Sequence, residues 1–149
     1  MRTPFGSVVL DAACRLLVPF IMLFAIYVLV HGHYSPGGGF QAGTILAAVV
    51  ILIRMVHGEE ASWGLHRTAA LGLACGGIVV YAGIGFLALL FNGNYLDYGA
   101  LPLPLEAAQV RAMGTLGIET GVTMGVTGVL VLIFDALTTG EPKEEEDVE

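Results

Sequence analysis

One carboxylate stands out by its position. Glu119 lies in an apolar run that also holds Thr115 and Thr123, four residues to either side. On a helix that spacing puts the acid and both hydroxyls on one face. A charge in hydrocarbon is costly unless it is paired or hydrated, so an intramembrane acid calls for a partner or a pathway. Two readings are open for Glu119, Thr115 and Thr123. They are members of an ion or proton path, or Glu119 is a structural group hydrogen-bonded to a neighbouring chain.

The remaining titratable groups call for less. Asp11 and Arg15 are four apart and should pair on one helix face near its start. Arg54 and Asp135 fall near the ends of apolar runs, where snorkelling or capping is the expected role, with anionic lipid or a partner acid as the other reading for Arg54. His31 and His33 without a third ligand are a weak metal signal, so no metal site is assigned. Cys14 and Cys75 sit in apolar segments with no CxxC or Cys/His spacing and read as small buried hydrophobes. No nucleophile and base fall at a working spacing and no cofactor loop is present, so an enzyme is not expected and no cofactor is called for.

The stretch His31 to Gly43 reads HGHYSPGGGFQAG. Ser35 suits an N-cap and Pro36 a first helical position. Gly37, Gly38 and Gly39 would then leave the first turn without side chains, its N–H groups at the positive end of a helix dipole. A phosphate-binding loop would continue with Lys and Ser or Thr, which is absent here. A tight re-entry of the chain, with another segment pressed against the glycines, is the expectation, and a direct role in ion or water access is the other reading.

These residues must be carried by membrane helices. Only 13% of the 149 residues are charged, about half the share of a soluble domain, and mean hydropathy is +0.80. Four runs are long enough to cross a hydrocarbon core about 30 Å thick: residues 8–30, 38–56, 69–90 and 114–137. Isolated strands cannot satisfy their backbone in lipid, so all four should be helices. The expected fold is all-α, an integral membrane four-helix transmembrane bundle over residues 1–140. The segment 141–149 is an acidic tail expected to be disordered. It holds six of the thirteen acids, and without it seven acids face five bases. The body is therefore near neutral, and no basic patch supports nucleic-acid binding. The long first run with no small-residue cleavage site is not read as a secretory signal. With both termini cytoplasmic, Arg2, Arg15, Arg54, Arg67 and Lys143 lie inside and only Arg111 outside, which favours that orientation.

Glycine is abundant and regularly placed. Gly114, Gly117, Gly121, Gly125 and Gly128 fall within an arc of about 80° on the fourth helix. Gly72, Gly76 and Gly83 share a narrower arc on the third. Such stripes let helix backbones approach closely, within this chain or against neighbouring subunits. Four helices of this size cannot easily enclose an aqueous path of their own, which points to a larger assembly.

The stretch FAIYVLVHGHYSPGGGFQAGTILAAVVIL resembles the hallmark segment of the MnhB-like family, one of the subunit families of the Mrp-type (Mnh) cation/proton antiporters. The matching residues are Gly32-His33, then Pro36-Gly37-Gly38-Gly39-Phe40-Gln41, followed by a helix rich in small residues. The run GIETGVTMGVTGVLVLIFDAL is similar to the last helix of that family. The resemblance implies an accessory subunit of a multi-subunit sodium/proton antiporter, multi-pass in the cytoplasmic membrane. Its partners would be other membrane subunits and the lipid bilayer, with sodium ions and protons handled at the level of the complex. The same module resembles parts of membrane-bound hydrogenases and sulfane reductases, and a non-transporting assembly scaffold is the third reading.

Overall fold

The computed structural model describes residues 8–32, 37–57 and 65–138. They form four long helices: α1 (Val8–His31), α2 (Gly38–His57), α3 (Arg67–Leu90) and α4 (Ala107–Thr138), with one 3-10 turn (Tyr98–Ala100) before α4. All four are long and apolar enough to cross a membrane. The acidic tail, His33, Ser35 and Pro36 lie outside the described residues. Gly37 precedes the helix and Gly38 opens it, so α2 begins two residues later than an N-cap at Ser35 would place it.

Two helix ends show how the chain is punctuated. At the end of α3, Gly93 N–H donates to the Ala88 carbonyl at 3.1 Å and Asn92 N–H to the Leu89 carbonyl at 3.3 Å. Asn92 sits at φ 63°. This is a Schellman ending with asparagine in the left-handed position. At the start of α4, the Gln109 side-chain oxygen accepts from Glu106 N–H at 3.3 Å, half of a capping box. That contact explains why α4 begins seven residues before the apolar run does. At 32 residues it is about 48 Å long, well beyond the hydrocarbon thickness. Tyr98 closes the loop onto the first turns of α4, its ring against Gly114. Burial pushes its phenol above the ordinary value, so the ring stays neutral.

The helices stand in a row, α1 on α2, α2 on α4 and α4 on α3. Among the described residues, no close backbone approach joins α3 to α1 or α2, so the bundle is open. Lipid tails are as apolar as leucine, so close packing rather than burial from water holds such helices together. Val18 of α1 meets Val49 and Ile53 of α2. Ala47, Ala70 and Val131 form the tight centre where side chains of α2, α3 and α4 converge. On α4, a Cβ added at Gly121 would lie 2.9 Å from the Gly77 carbonyl oxygen and 3.0 Å from Tyr81 N. At Gly128 it would lie 2.5 Å from the Ala70 oxygen. These glycines set the α3–α4 distance. On α3 the expected stripe makes no close backbone contact within this chain. Gly72 and Gly83 face open space, and Gly76 meets only the end of Met124. The close contact is made by Gly77, which sits against Gly121 and Gly125. A shared arc identifies residues on one face without saying which face meets a partner.

One end of the row carries an ionic layer. Asp11 accepts from Arg15 Nε at 3.0 Å, as the spacing suggested, and also meets His57 Nε2 at 2.5 Å, tying α1 to α2. Arg54 and Asp135 correct the sequence reading. They do not snorkel or cap; Arg54 takes the other reading, a partner acid, in a buried ion pair with Asp135 between α2 and α4, and it also donates to the Leu65 carbonyl just before α3. Removing one member of such a pair strands the other charge, at a cost of about 3–5 kcal/mol. Asp135→Leu alone should therefore sharply lower the amount of chain recovered from detergent-solubilised membranes. The double variant Arg54→Met/Asp135→Leu should recover most of it. Equal loss in both would show that the pair is not the source of the effect.

Cys14 is buried and Cys75 exposed. The second departs from the buried role expected, because it lies on the outward face of α3.

Candidate functional site

The ends of α1 and α2 meet the middle of α4 at Glu119. A Cβ added at Gly32 would lie 2.5 Å from Glu119 Oε2, and one at Gly38 would lie 2.9 Å from Oε1. The carboxylate thus occupies a notch between the last residue described after α1 and the first residue of α2. At Gly39 an added Cβ would meet the Glu119 backbone itself, 2.9 Å from its Cα. Gly37 and Gly38 take φ values of +154° and +54°, which side-chain-bearing residues rarely adopt. Glycine is required here twice over, for the backbone and for the space that Glu119 fills. The first N–H groups of α2 have no partner within the helix and carry the positive end of its dipole. The carboxylate lies beside that end.

Depth follows from how α3 and α4 run past each other. Ile84 meets Gly117, and Gly77 and Tyr81 meet Gly121. Glu119 is therefore level with residues near Tyr81, some nine residues short of the end of α3, or about 13 Å. The surface beyond that level is still apolar, with Phe86, Leu87, Leu89 and Leu90 exposed. The notch is sunk beneath the outer apolar edge of the molecule. Irregular backbone at such depth is tolerated only against protein or beside a water-filled cavity.

Below Glu119 a polar line continues along α4 toward the ionic layer. Thr123 Oγ1 lies 3.0 Å from the Gly39 carbonyl and 2.8 Å from that of Glu119. Thr127 Oγ1 lies 3.1 Å from the Gly43 carbonyl and 2.7 Å from that of Thr123. Each hydroxyl has one proton, shared between its own helix and α2. Both threonines are buried. Val131, fully buried, interrupts the line before Asp135. Along this seam the hydroxyls are committed to backbone carbonyls, which leaves the Glu119 carboxylate as the ionisable group at its upper end.

Of the sequence candidates, Glu119, Gly32, Gly38, Gly39 and Thr123 come together here. Thr115 is half-buried one turn outward on the same helix. The Gln41 side chain folds against Gly37, and Phe40 points outward into a groove along α4. His33 and Pro36 are outside the described residues. His31 Nδ1 is 3.1 Å from the Tyr27 carbonyl, and the ring stacks on Tyr27. A carbonyl only accepts, so Nδ1 carries the proton. Gly114, Gly117, Gly121 and Gly128 face Tyr98 or α3, whereas a Cβ at Gly125 would enter open space. Sequence reasoning missed Thr127, although it continues the four-residue spacing of Thr115, Glu119 and Thr123. It also missed Gly43 and Gly77, and which acid Arg54 meets.

Fold and site define a small multi-pass membrane protein with a carboxylate set against a glycine-rich helix entry. Residues 9–132 match the family described as a domain related to the MnhB subunit of Na+/H+ antiporter, and the chain belongs to that family. It is similar to a protein of Bacillus subtilis (strain 168) named as a Na(+)/H(+) antiporter subunit, 25% identical over 134 residues, covering 89% of this chain and 93% of that one. It is also similar to a protein named as antiporter subunit mnhB2 in Staphylococcus aureus (strain Newman), 29% identical over 139 residues, covering 91% and 96%.

Proposed function

We propose that this chain is an accessory membrane subunit of a multi-subunit sodium/proton antiporter. The observation that carries the reading is the family match over residues 9–132. The open row of helices supports it, because α1 and α3 each leave a full flank for other membrane subunits. The chain sits in the cytoplasmic membrane with both termini inside, as the arginine distribution favours. The complex moves sodium ions and protons. Glu119 is the residue through which this subunit takes part, with Thr115 beside it and the glycine turn holding it in place.

Purification of the tagged chain from native membranes tests the reading. Large antiporter subunits should travel with it, and inverted vesicles from cells lacking it should lose sodium-dependent proton movement. Recovery of hydrogenase or iron-sulfur subunits instead, or unchanged exchange without the chain, would overturn it. Orientation has its own check. A cysteine placed at Glu149 in a Cys-free background should resist an impermeant maleimide added outside and react once the membrane is opened.

A further inference from the structure

α3 and α4 pack through glycine and alanine, and beside that seam the surface is hollow. A groove of about 510 Å³ starts at Arg67 and Thr68, and a second of about 350 Å³ lies further along the same pair of helices. Val129 lines both, so they lie end to end as a track along this pair of helices, and Phe40 of α2 borders the second. On α3 its wall is Arg67, Leu71, Ala74, Ile78 and Tyr81, one residue for each successive turn. On α4 it is Ala136, Ile133, Val129, Gly125 and Val122. From Arg67 to Tyr81 the track runs about 21 Å along the helix. It is deep because the residue at its floor, Gly125, has no side chain and nothing within 4 Å of where one would be.

The chemistry along the track is one-sided. Arg67 is exposed at one mouth, it pairs with no described carboxylate, and no acidic residue lines either part. Beyond Thr68 the walls are apolar apart from the Tyr81 hydroxyl. Arg67 lies at the same end of the row as Arg15, Arg54 and the Asp135 turn of α4, the end where membrane proteins meet anionic headgroups. A single acyl chain fits that narrow, long form, and its phosphate would reach Arg67.

We infer that the α3–α4 groove is a binding site for an anionic phospholipid, its headgroup on Arg67 and Thr68 and one acyl chain running past Val129 to Gly125. The lipid would fill the surface hollow of the edge pair α3–α4 and couple its spacing to the composition of the inner leaflet. The site rests on the proposed orientation and not on which complex hosts the chain.

The test uses the intact complex that purifies with the chain, placed in phosphatidylcholine vesicles. One preparation contains a trace of phosphatidylglycerol with a diazirine in mid-chain, the other phosphatidylcholine carrying the same group. After illumination, adducts are mapped by mass spectrometry. The phosphatidylglycerol probe should label Leu71, Ile133 and Val129 about fivefold more than the phosphatidylcholine probe, the effect expected of one cation near the surface. Arg67→Gln should bring the two to the same level. Gly125→Leu, which fills the floor, should remove adducts near Ile78 and Val122 while those near Arg67 persist. Equal labelling by the two probes in the unaltered complex would overturn the proposal. So would an Arg67→Gln variant that labels as before, or an unlabelled groove occupied by a neighbouring helix. If antiporter subunits fail to copurify, the functional proposal falls and the labelling is still read on this chain.

Discussion

Gly39→Ala is expected to reduce the assembled chain in the membrane at least tenfold, about 1.4 kcal/mol or more of lost stability. The added methyl would meet the backbone of Glu119, 2.8 Å from its carbonyl carbon and 2.9 Å from its Cα. Backbone in the middle of a packed helix has nowhere to go, so α2 and α4 must separate. The Thr123 and Thr127 hydroxyls then lose the Gly39 and Gly43 carbonyls. Overfilled contacts typically cost about 1–3 kcal/mol, and here the hydrogen bonds are lost in addition. Gly121→Leu should act in the same direction at the α3–α4 contact. Gly72→Ala and Gly83→Ala are the controls for packing within the chain, since neither methyl would touch anything of it within 4 Å. Each removes a helix-interior glycine that disfavours the helix by about 1 kcal/mol. Abundance and melting temperature of the solubilised assembly measure all four. If Gly39→Ala accumulates like Gly72→Ala, the α2–α4 approach is not as close as described.

Much of this architecture could be read from the chain itself. Each helix is announced by an unbroken apolar run, and the three connections by Gly, Pro and Asn. The start of α4 escaped notice because its first turns hold Gln109 and Arg111, which break the apolar run without breaking the helix. The signal lay in the capping residues Glu106 and Gln109 instead. The site was legible in its parts and not in its assembly. Glu119 stood out as an acid in an apolar run, and the glycine turn stood out as a place without side chains. Nothing local says that one fills the other, because eighty residues separate them. The same holds for Arg54 and Asp135, each ordinary near a helix end until α2 and α4 are brought side by side. Periodicity likewise put Gly72, Gly76 and Gly83 on one face, but the neighbour that α4 needs is Gly77, on a different side of the same helix. Local pattern fixes faces; only packing decides which faces meet.

Glu119→Gln should assemble at the unaltered level and lose sodium-dependent proton movement by at least tenfold. The amide has the same shape, so the notch between Gly32 and Gly38 remains filled. It keeps an oxygen for any donor and still lies beside the positive end of α2. What it loses is the ability to take up and release a proton or to balance a cation. Glu119→Ala differs in kind. It empties the notch beneath the glycine turn and should weaken assembly itself, because the irregular backbone there loses the group packed against it. Glu119→Asp keeps the charge but withdraws it by one methylene, and should retain assembly with partial exchange. Sodium-dependent proton uptake in inverted vesicles, divided by the amount of complex on the same membranes, separates these effects. Loss of exchange per complex in Glu119→Gln, with Glu119→Asp intermediate, identifies a working carboxylate. If Glu119→Gln is fully active and only Glu119→Ala is impaired, the carboxylate is a plug for the turn and takes no part in ion movement. The seam below, where Thr123 and Thr127 are committed to backbone carbonyls and Val131 closes the line, makes a further demand. Any proton or cation that reaches Glu119 must arrive and leave on its outer side or through an adjoining subunit. Thr127→Val should therefore leave exchange per complex unchanged even where it lowers the amount of complex.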